Sequence, residues 1–176
     1  MTTIAYKDGI LAADSCVTDN GAICGTATKL ARAPNGAIAG ASGNLAPCAK
    51  FLSWFARDFG MVEKDAKIEG NGAALIIDKD GTVHTLDAGY PAFIINAPFH
   101  AIGSGSRIAL GAMAAGASAE EAVRIACGID DGTREPVETL HLVAPKADQW
   151  SPEQMAEIKR QTDQMAARPD KWAARP

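Results

Sequence analysis

Short β-prone runs broken by tight turns fill the first forty or so residues, and they constrain the fold more than any other feature of the chain. Thr3 to Tyr6 and Ile10 to Cys16 flank Lys7-Asp8-Gly9, in which Asp-Gly suits a hairpin turn. Ile23 to Leu30 and Ala37 to Ala41 flank a second turn, Pro34-Asn35-Gly36. Four short strands joined by turns this tight predict an antiparallel sheet rather than βαβ units.

The periodicity then changes. Leu45, Cys48, Phe51, Leu52 and Phe55 recur at helical spacing, which predicts a helix from Asn44 to Phe59 with Asn44 as its N-cap. Strands are expected at Ala73 to Ile77 and Thr82 to Leu86, around Asp78-Lys79-Asp80-Gly81, and another just before Gly103. Two helices follow. Ile108 and Met113 mark the first, and Ser118 with Glu121 forms a capping box for the second, whose apolar face includes Ala122, Val123, Ile125 and Ala126. Val137 to Val143 reads as a closing strand, and Ser151-Pro152-Glu153-Gln154 as the start of a polar terminal helix. This order predicts an α+β fold, and two packed antiparallel sheets flanked by helices, a four-layer α-β-β-α sandwich, bury the apolar faces economically. Other α+β folds satisfy the same order. Residues 1–150 are expected to form one domain, with 151–176 as a C-terminal helix and tail packed on that domain, with Trp150 and Trp172 available to dock it, or extending from it.

At 176 residues the chain suits one compact domain, and 47% hydrophobic with 22% charged residues excludes a disordered polymer. A net charge of −4 without a basic stripe gives no reason to expect a nucleic-acid partner. No apolar run reaches the roughly 18 residues of a membrane span, and the N-terminus lacks signal-peptide features, so a cytoplasmic location is expected. Cys16, Cys24, Cys48 and Cys127 are scattered without a Cys-x-x-Cys pair, which reads as reduced thiols.

The reactive feature is at the start. Threonine at position 2 is small enough for Met1 to be removed, leaving Thr2 with a free α-amine. Such a residue carries a hydroxyl nucleophile and its own base, because an α-amine has an ordinary pKa of about 7.7–8.0. A nearby cation lowers that value further and keeps the amine neutral.

Thr2-Thr3-Ile4-Ala5, Leu11-Ala12-Ala13-Asp14-Ser15, Lys29-Leu30 and Ala41-Ser42-Gly43-Asn44-Leu45-Ala46 together resemble the active-site strands of proteasome β-subunits and HslV, which are N-terminal-nucleophile hydrolases. Gly43 follows Lys29 by fourteen residues, the interval of that family, whereas the stretch from Thr2 to Asp14 is shorter than in the best-known members. Downstream, Ala101-Ile102-Gly103-Ser104-Gly105-Ser106 and Asp130-Asp131-Gly132-Thr133 resemble the segments that complete the family's site. The resemblance implies a threonine peptidase that needs no cofactor and no metal. Thr2 is then the nucleophile, Lys29 the neighbouring cation held by Asp14, and Gly43 the oxyanion amide. Ser104, Asp130 and Thr133 hydrogen-bond around the amine. Ala27, Ala41, Leu45 and Ala49 line an apolar pocket for the residue before the cut. A homo-oligomeric ring acting on protein or peptide, with an ATP-dependent unfoldase as partner, is implied in the same way.

Other motifs carry less. Gly103-Ser104-Gly105-Ser106 lacks a following Gly-Lys-Ser/Thr, and no Gly-x-Ser-x-Gly elbow is present. His84, His100 and His141 are dispersed, Asp78-Lys79-Asp80-Gly81 suits a turn better than a calcium loop, and Cys16 reads as packing. Trp54 is expected in a helix–core or subunit contact. Two alternatives remain open: an amidase of the same fold acting on a small amide, and a silent assembly subunit in which Met1 is retained.

Overall fold

The computed structural model describes residues 2–58, 68–88 and 92–143. Met1–Val143 forms a compact unit distinct from Ala144–Pro176, and the expected terminal helix and Trp150 and Trp172 lie outside the described residues. Eleven strands and three helices are described: β1 (Thr3–Lys7), β2 (Ile10–Asp14), β3 (Cys16–Asp19), β4 (Ala22–Thr26), β5 (Leu30–Arg32), β6 (Ile38–Ser42), α1 (Leu45–Asp58), β7 (Ala73–Ile77), β8 (Val83–Asp87), β9 (Phe93–Ile95), β10 (Phe99–Gly103), α2 (Ser106–Ala114), α3 (Ala119–Cys127) and β11 (Val137–His141).

The strands form two antiparallel sheets and a separate ribbon. One sheet has the order β10-β1-β2-β11, and the other runs β5-β6-β7-β8-β9. The first turn is where the sequence places it, with Asp8 and Gly9 at φ 51 and 77 linking β1 to β2. Two expected strands are instead broken. The run Ile10 to Cys16 divides at Ser15, where the chain leaves the four-stranded sheet, and Cys16 starts β3. The run Ile23 to Leu30 divides too. Asn20 and Gly21 take φ 48 and 84, the geometry of a tight hairpin turn, and fold β4 back on β3. β5 then pairs with β6. Strand β9, which the sequence did not announce, pairs with β8 and leaves Phe93 and Ile94 exposed.

Alternation along the strands creates three apolar seams. Ile4, Tyr6, Leu11 and Ala13 of the first sheet meet Leu30, Ile38, Leu75, Ile77 and Val83 of the second. The second sheet's Ala39, Ala41, Ala74, Ile76 and Leu86 pack on Cys48, Phe51, Leu52 and Phe55 of α1. Ala5, Ala12 and Ala101 of the first sheet pack on Ala109 and Met113 of α2 and Ala119, Ala122 and Val123 of α3. Small residues on that face let the helices approach closely. The sheets approach closely as well: a Cβ at Gly40 would lie 2.9 Å from Ile4 Cγ2 and 3.0 Å from Ile4 Cδ1. The end of β2, the start of β1 and the end of β6 are thereby held at one edge of the seam.

Candidate active site

Asp14 ends β2 and is fully buried, so its carboxylate needs partners from the protein. Lys29 Nζ donates to both carboxylate oxygens at 3.0 Å. Backbone N–H groups of Thr3 (2.8 Å), Cys16 (3.0 Å) and Arg134 (3.3 Å) donate to the same carboxylate. The two side chains are 0% and 8% exposed, which makes this a buried ion pair whose desolvation cost is offset by five hydrogen bonds. An ammonium has three donors, and two go to Asp14. Lys29 also lines the cleft that holds Thr2, so its remaining donor is the one available to a group there.

On the other side of Thr2, the backbone N–H of Thr2 donates to Ser104 Oγ at 3.3 Å, and Ser104 N–H donates to the Thr2 carbonyl at 2.8 Å. Ser104 Oγ donates to Asp130 Oδ2 at 2.8 Å, and Thr133 Oγ1 donates to the same oxygen at 2.5 Å. The glycine before Ser104 makes this approach feasible. Gly103 has φ +95, and a Cβ there would lie 2.0 Å from the Thr2 carbonyl oxygen.

Thr2, Lys29, Ala41, Gly43, Asn44, Leu45 and Cys48 line a cleft of about 580 Å³, to which β3 and β4 add Cys16, Val17, Thr18, Asp19 and Cys24. Gly43 joins β6 to α1 with φ +126, and any Cβ there would strike the Asn71 carbonyl oxygen at 2.4 Å. Of the four residues expected to form the pocket, Ala41 and Leu45 line this cleft. Ala27 and Ala49 are not among its lining residues, and Cys48, one residue before Ala49 on α1, is. Burial pushes the Cys48 thiol up, against the opposing charge of Lys29. Burial, then Glu135 and Asp14, push Cys127 up to about 11. Both are therefore neutral thiols near pH 7 and poor nucleophiles.

Six of the expected residues thus lie near Thr2, as the Lys29–Asp14 and Ser104–Asp130–Thr133 arms and the Gly43 turn. Sequence reasoning missed Thr3, which is fully buried and bridges the arms: its N–H binds Asp14, and its Oγ1 lies 2.7 Å from Thr133 Oγ1. It also missed the β3–β4 wall, although Asn20-Gly21 carries a hairpin signal. Among the described residues no cluster of His, Cys, Asp and Glu could hold a metal ion, and no helix is long and apolar enough to cross a membrane.

No protein-family model matches the chain, and no curated protein matches it. Solved structures do. BPH of Thiobacillus denitrificans in complex with epoxomicin aligns with a TM-score of 0.60 at 20% identity, over 81% of this chain and 98% of that one. A second structure of the same BPH gives 0.59 at 20% identity, over 82% and 99%. Eukaryotic HslV from Trypanosoma brucei gives 0.57 at 20% identity, over 80% and 98%. The chain therefore has the α+β fold shared by BPH and HslV, and its aligned part covers nearly the whole of each.

Proposed function

We propose that the chain is a threonine peptidase of the proteasome and HslV type, with Thr2 as nucleophile after removal of Met1. The observation that carries this reading is that Lys29, paired with Asp14, shares one cleft with Thr2, whose nitrogen is hydrogen-bonded to Ser104 of the separate Ser104–Asp130–Thr133 arm. The fold shared with BPH and HslV supports it. So does the packing of α1, two sheets and α2 with α3 along three seams, which fits the four-layer α-β-β-α stacking.

In this mechanism Thr2 Oγ attacks the peptide carbonyl carbon while the Thr2 amine takes the hydroxyl proton. The charge of Lys29 favours both the alkoxide character of Oγ and the neutral amine. The oxyanion forms against the Gly43 amide, a contribution of about 3–4 kcal/mol where one such donor has been removed. Collapse expels the amine half of the substrate, which takes the proton back, and water then hydrolyses the Thr2 ester by the same proton route. Ala41, Leu45 and the neutral thiol of Cys48 favour an apolar side chain before the cut. A homo-oligomeric ring in the cytoplasm, fed by an unfoldase, belongs to the same proposal.

The test is intact mass of the protein from bacterial cytoplasm, alongside turnover of hydrophobic fluorogenic peptides by wild type and Thr2→Ala. A mass lacking Met1 and activity that disappears in Thr2→Ala is the expected result. Intact Met1 without Thr2-dependent turnover overturns the reading in favour of a silent subunit, and selective cleavage after Lys or Glu overturns the assigned pocket.

A further inference from the structure

The Thr3 and Thr133 hydroxyls and the Asp130 carboxylate form a hydrogen-bonded chain next to the proposed nucleophile, and counting protons fixes the direction of the Thr3–Thr133 bond. Thr133 has one hydroxyl hydrogen and gives it to Asp130 Oδ2. It can therefore only accept at its contact with Thr3 Oγ1, 2.7 Å away, so the Thr3 hydroxyl is the donor. Thr3 and Thr133 are both 0% exposed, and no solvent molecule can readily replace either partner. The order is Thr3 to Thr133 to Asp130, with Ser104 donating to the same Asp130 oxygen. Ser104 thereby keeps an oxygen lone pair directed at the Thr2 nitrogen.

The same residue is fixed at its backbone. The Thr3 N–H donates to Asp14 Oδ1 at 2.8 Å, on the oxygen that also accepts from Lys29. Room for the Thr3 side chain exists only because position 105 is glycine: a Cβ there would fall 2.2 Å from Thr3 Oγ1 and 3.3 Å from Thr133 Oγ1. A residue adjacent to a chain start would ordinarily fray. Thr3 is held at two points, one on each polar arm, and its neighbour Thr2 inherits that constraint.

The geometry points to Thr3 as a positioning residue, whose hydroxyl, acting through Thr133 and Asp130, orients Ser104 and the Thr2 amine against Lys29. The inference rests on the proposed Thr2 mechanism. It assigns the hydroxyl a role separate from packing, because valine matches threonine in shape and lacks only the donor.

The experiment compares wild type, Thr3→Val and Thr3→Ser in the full chain with Met1 removed. Peptide turnover and the rate of Thr2 amine acylation by a small acylating reagent at fixed pH are both measured, with thermal melting to confirm folding. Thr3→Val is expected to lower kcat by tenfold or more with KM within twofold, and to change the acylation rate at least threefold. Thr3→Ser, which keeps the hydroxyl, is expected to stay within threefold of wild-type kcat. Unchanged kcat and acylation in Thr3→Val would overturn the assignment, and so would equal losses in both variants, which would indicate packing alone. If the wild type shows no Thr2-dependent turnover, the peptidase reading fails by itself, and the acylation rates still decide the role of Thr3.

Discussion

Two buried polar side chains next to each other in sequence make opposite demands. Asp14 is satisfied by five donors, whereas Ser15 Oγ is buried with no hydrogen-bond partner. Replacing Lys29 by Met leaves the Asp14 carboxylate buried without its cation, and breaking such a pair costs about 3–5 kcal/mol. Lys29→Met is therefore expected to lower the denaturation midpoint sharply and to abolish turnover. The paired change Lys29→Met with Asp14→Asn, which removes both charges but keeps an oxygen to accept from the backbone N–H groups, is expected to recover part of the stability and none of the activity, which equilibrium denaturation beside a peptide assay would check. Ser15→Ala should behave in the reverse sense. It removes an unsatisfied hydroxyl whose burial costs about 1–3 kcal/mol, so stability is expected to rise or hold, with turnover within twofold. A clear loss of stability in Ser15→Ala would show that the hydroxyl has a partner in solution.

At the scale of elements, the parts legible in the sequence are those with local causes. Helix α3 begins where Ser118 and Glu121 predict, with Glu121 N–H donating to Ser118 Oγ at 3.2 Å and Ser118 N–H donating to Glu121 Oε2 at 2.8 Å. The Ser118 N–H, then its hydroxyl, hold the Glu121 carboxyl below the usual glutamate range. A depressed acid stabilises the fold above its unfolded pKa, and that contribution is lost as pH falls through the lower folded value. Glu121→Gln is thus expected to be less stable than wild type at pH 7 and to converge with it in acid, a difference that denaturation at the two pH values reads directly. Ser118→Ala is expected to cost about 1 kcal/mol without altering kcat. The hairpin β3–β4 was harder to see. Its Asn20-Gly21 turn is a local signal, but β4 is exposed throughout and offers no apolar alternation to pair with it. The six-residue span from Ile23 to Thr28 gave no sign of where one strand stopped. The Thr3–Thr133 contact, 130 residues apart, has no local signature at all.

Across the whole molecule, the candidate site is divided between the two sheets. Thr2, Thr3 and Asp14 come with β1 and β2, whereas Ala41, Gly43 and Leu45 come with the end of β6 and the start of α1. The distance between the sheets is therefore also a dimension of the site, and Gly40 faces Ile4 across that gap with no room for a Cβ. A Cβ at that position would meet Ile4 Cγ2, Ile4 Cδ1 and Leu30 Cδ2 at 2.9, 3.0 and 3.0 Å, within the seam itself. All three atoms are ends of side chains, so the seam can yield by a few tenths of an ångström, and overpacking of this kind costs about 1–3 kcal/mol. Gly40→Ala is expected to remain folded, to lose stability in that range and to raise KM, because Gly43 and the pocket move relative to Thr2. Ile4→Val removes Cδ1 and by itself costs about 0.5–1.5 kcal/mol. In the Ile4→Val background the added methyl finds part of the space it needs, so the cost of Gly40→Ala is expected to shrink and KM to return toward wild type. Coupling of both readouts in a double-mutant cycle would establish that sheet spacing tunes the site; additive losses in stability with an unchanged KM would show that the seam and the site respond independently.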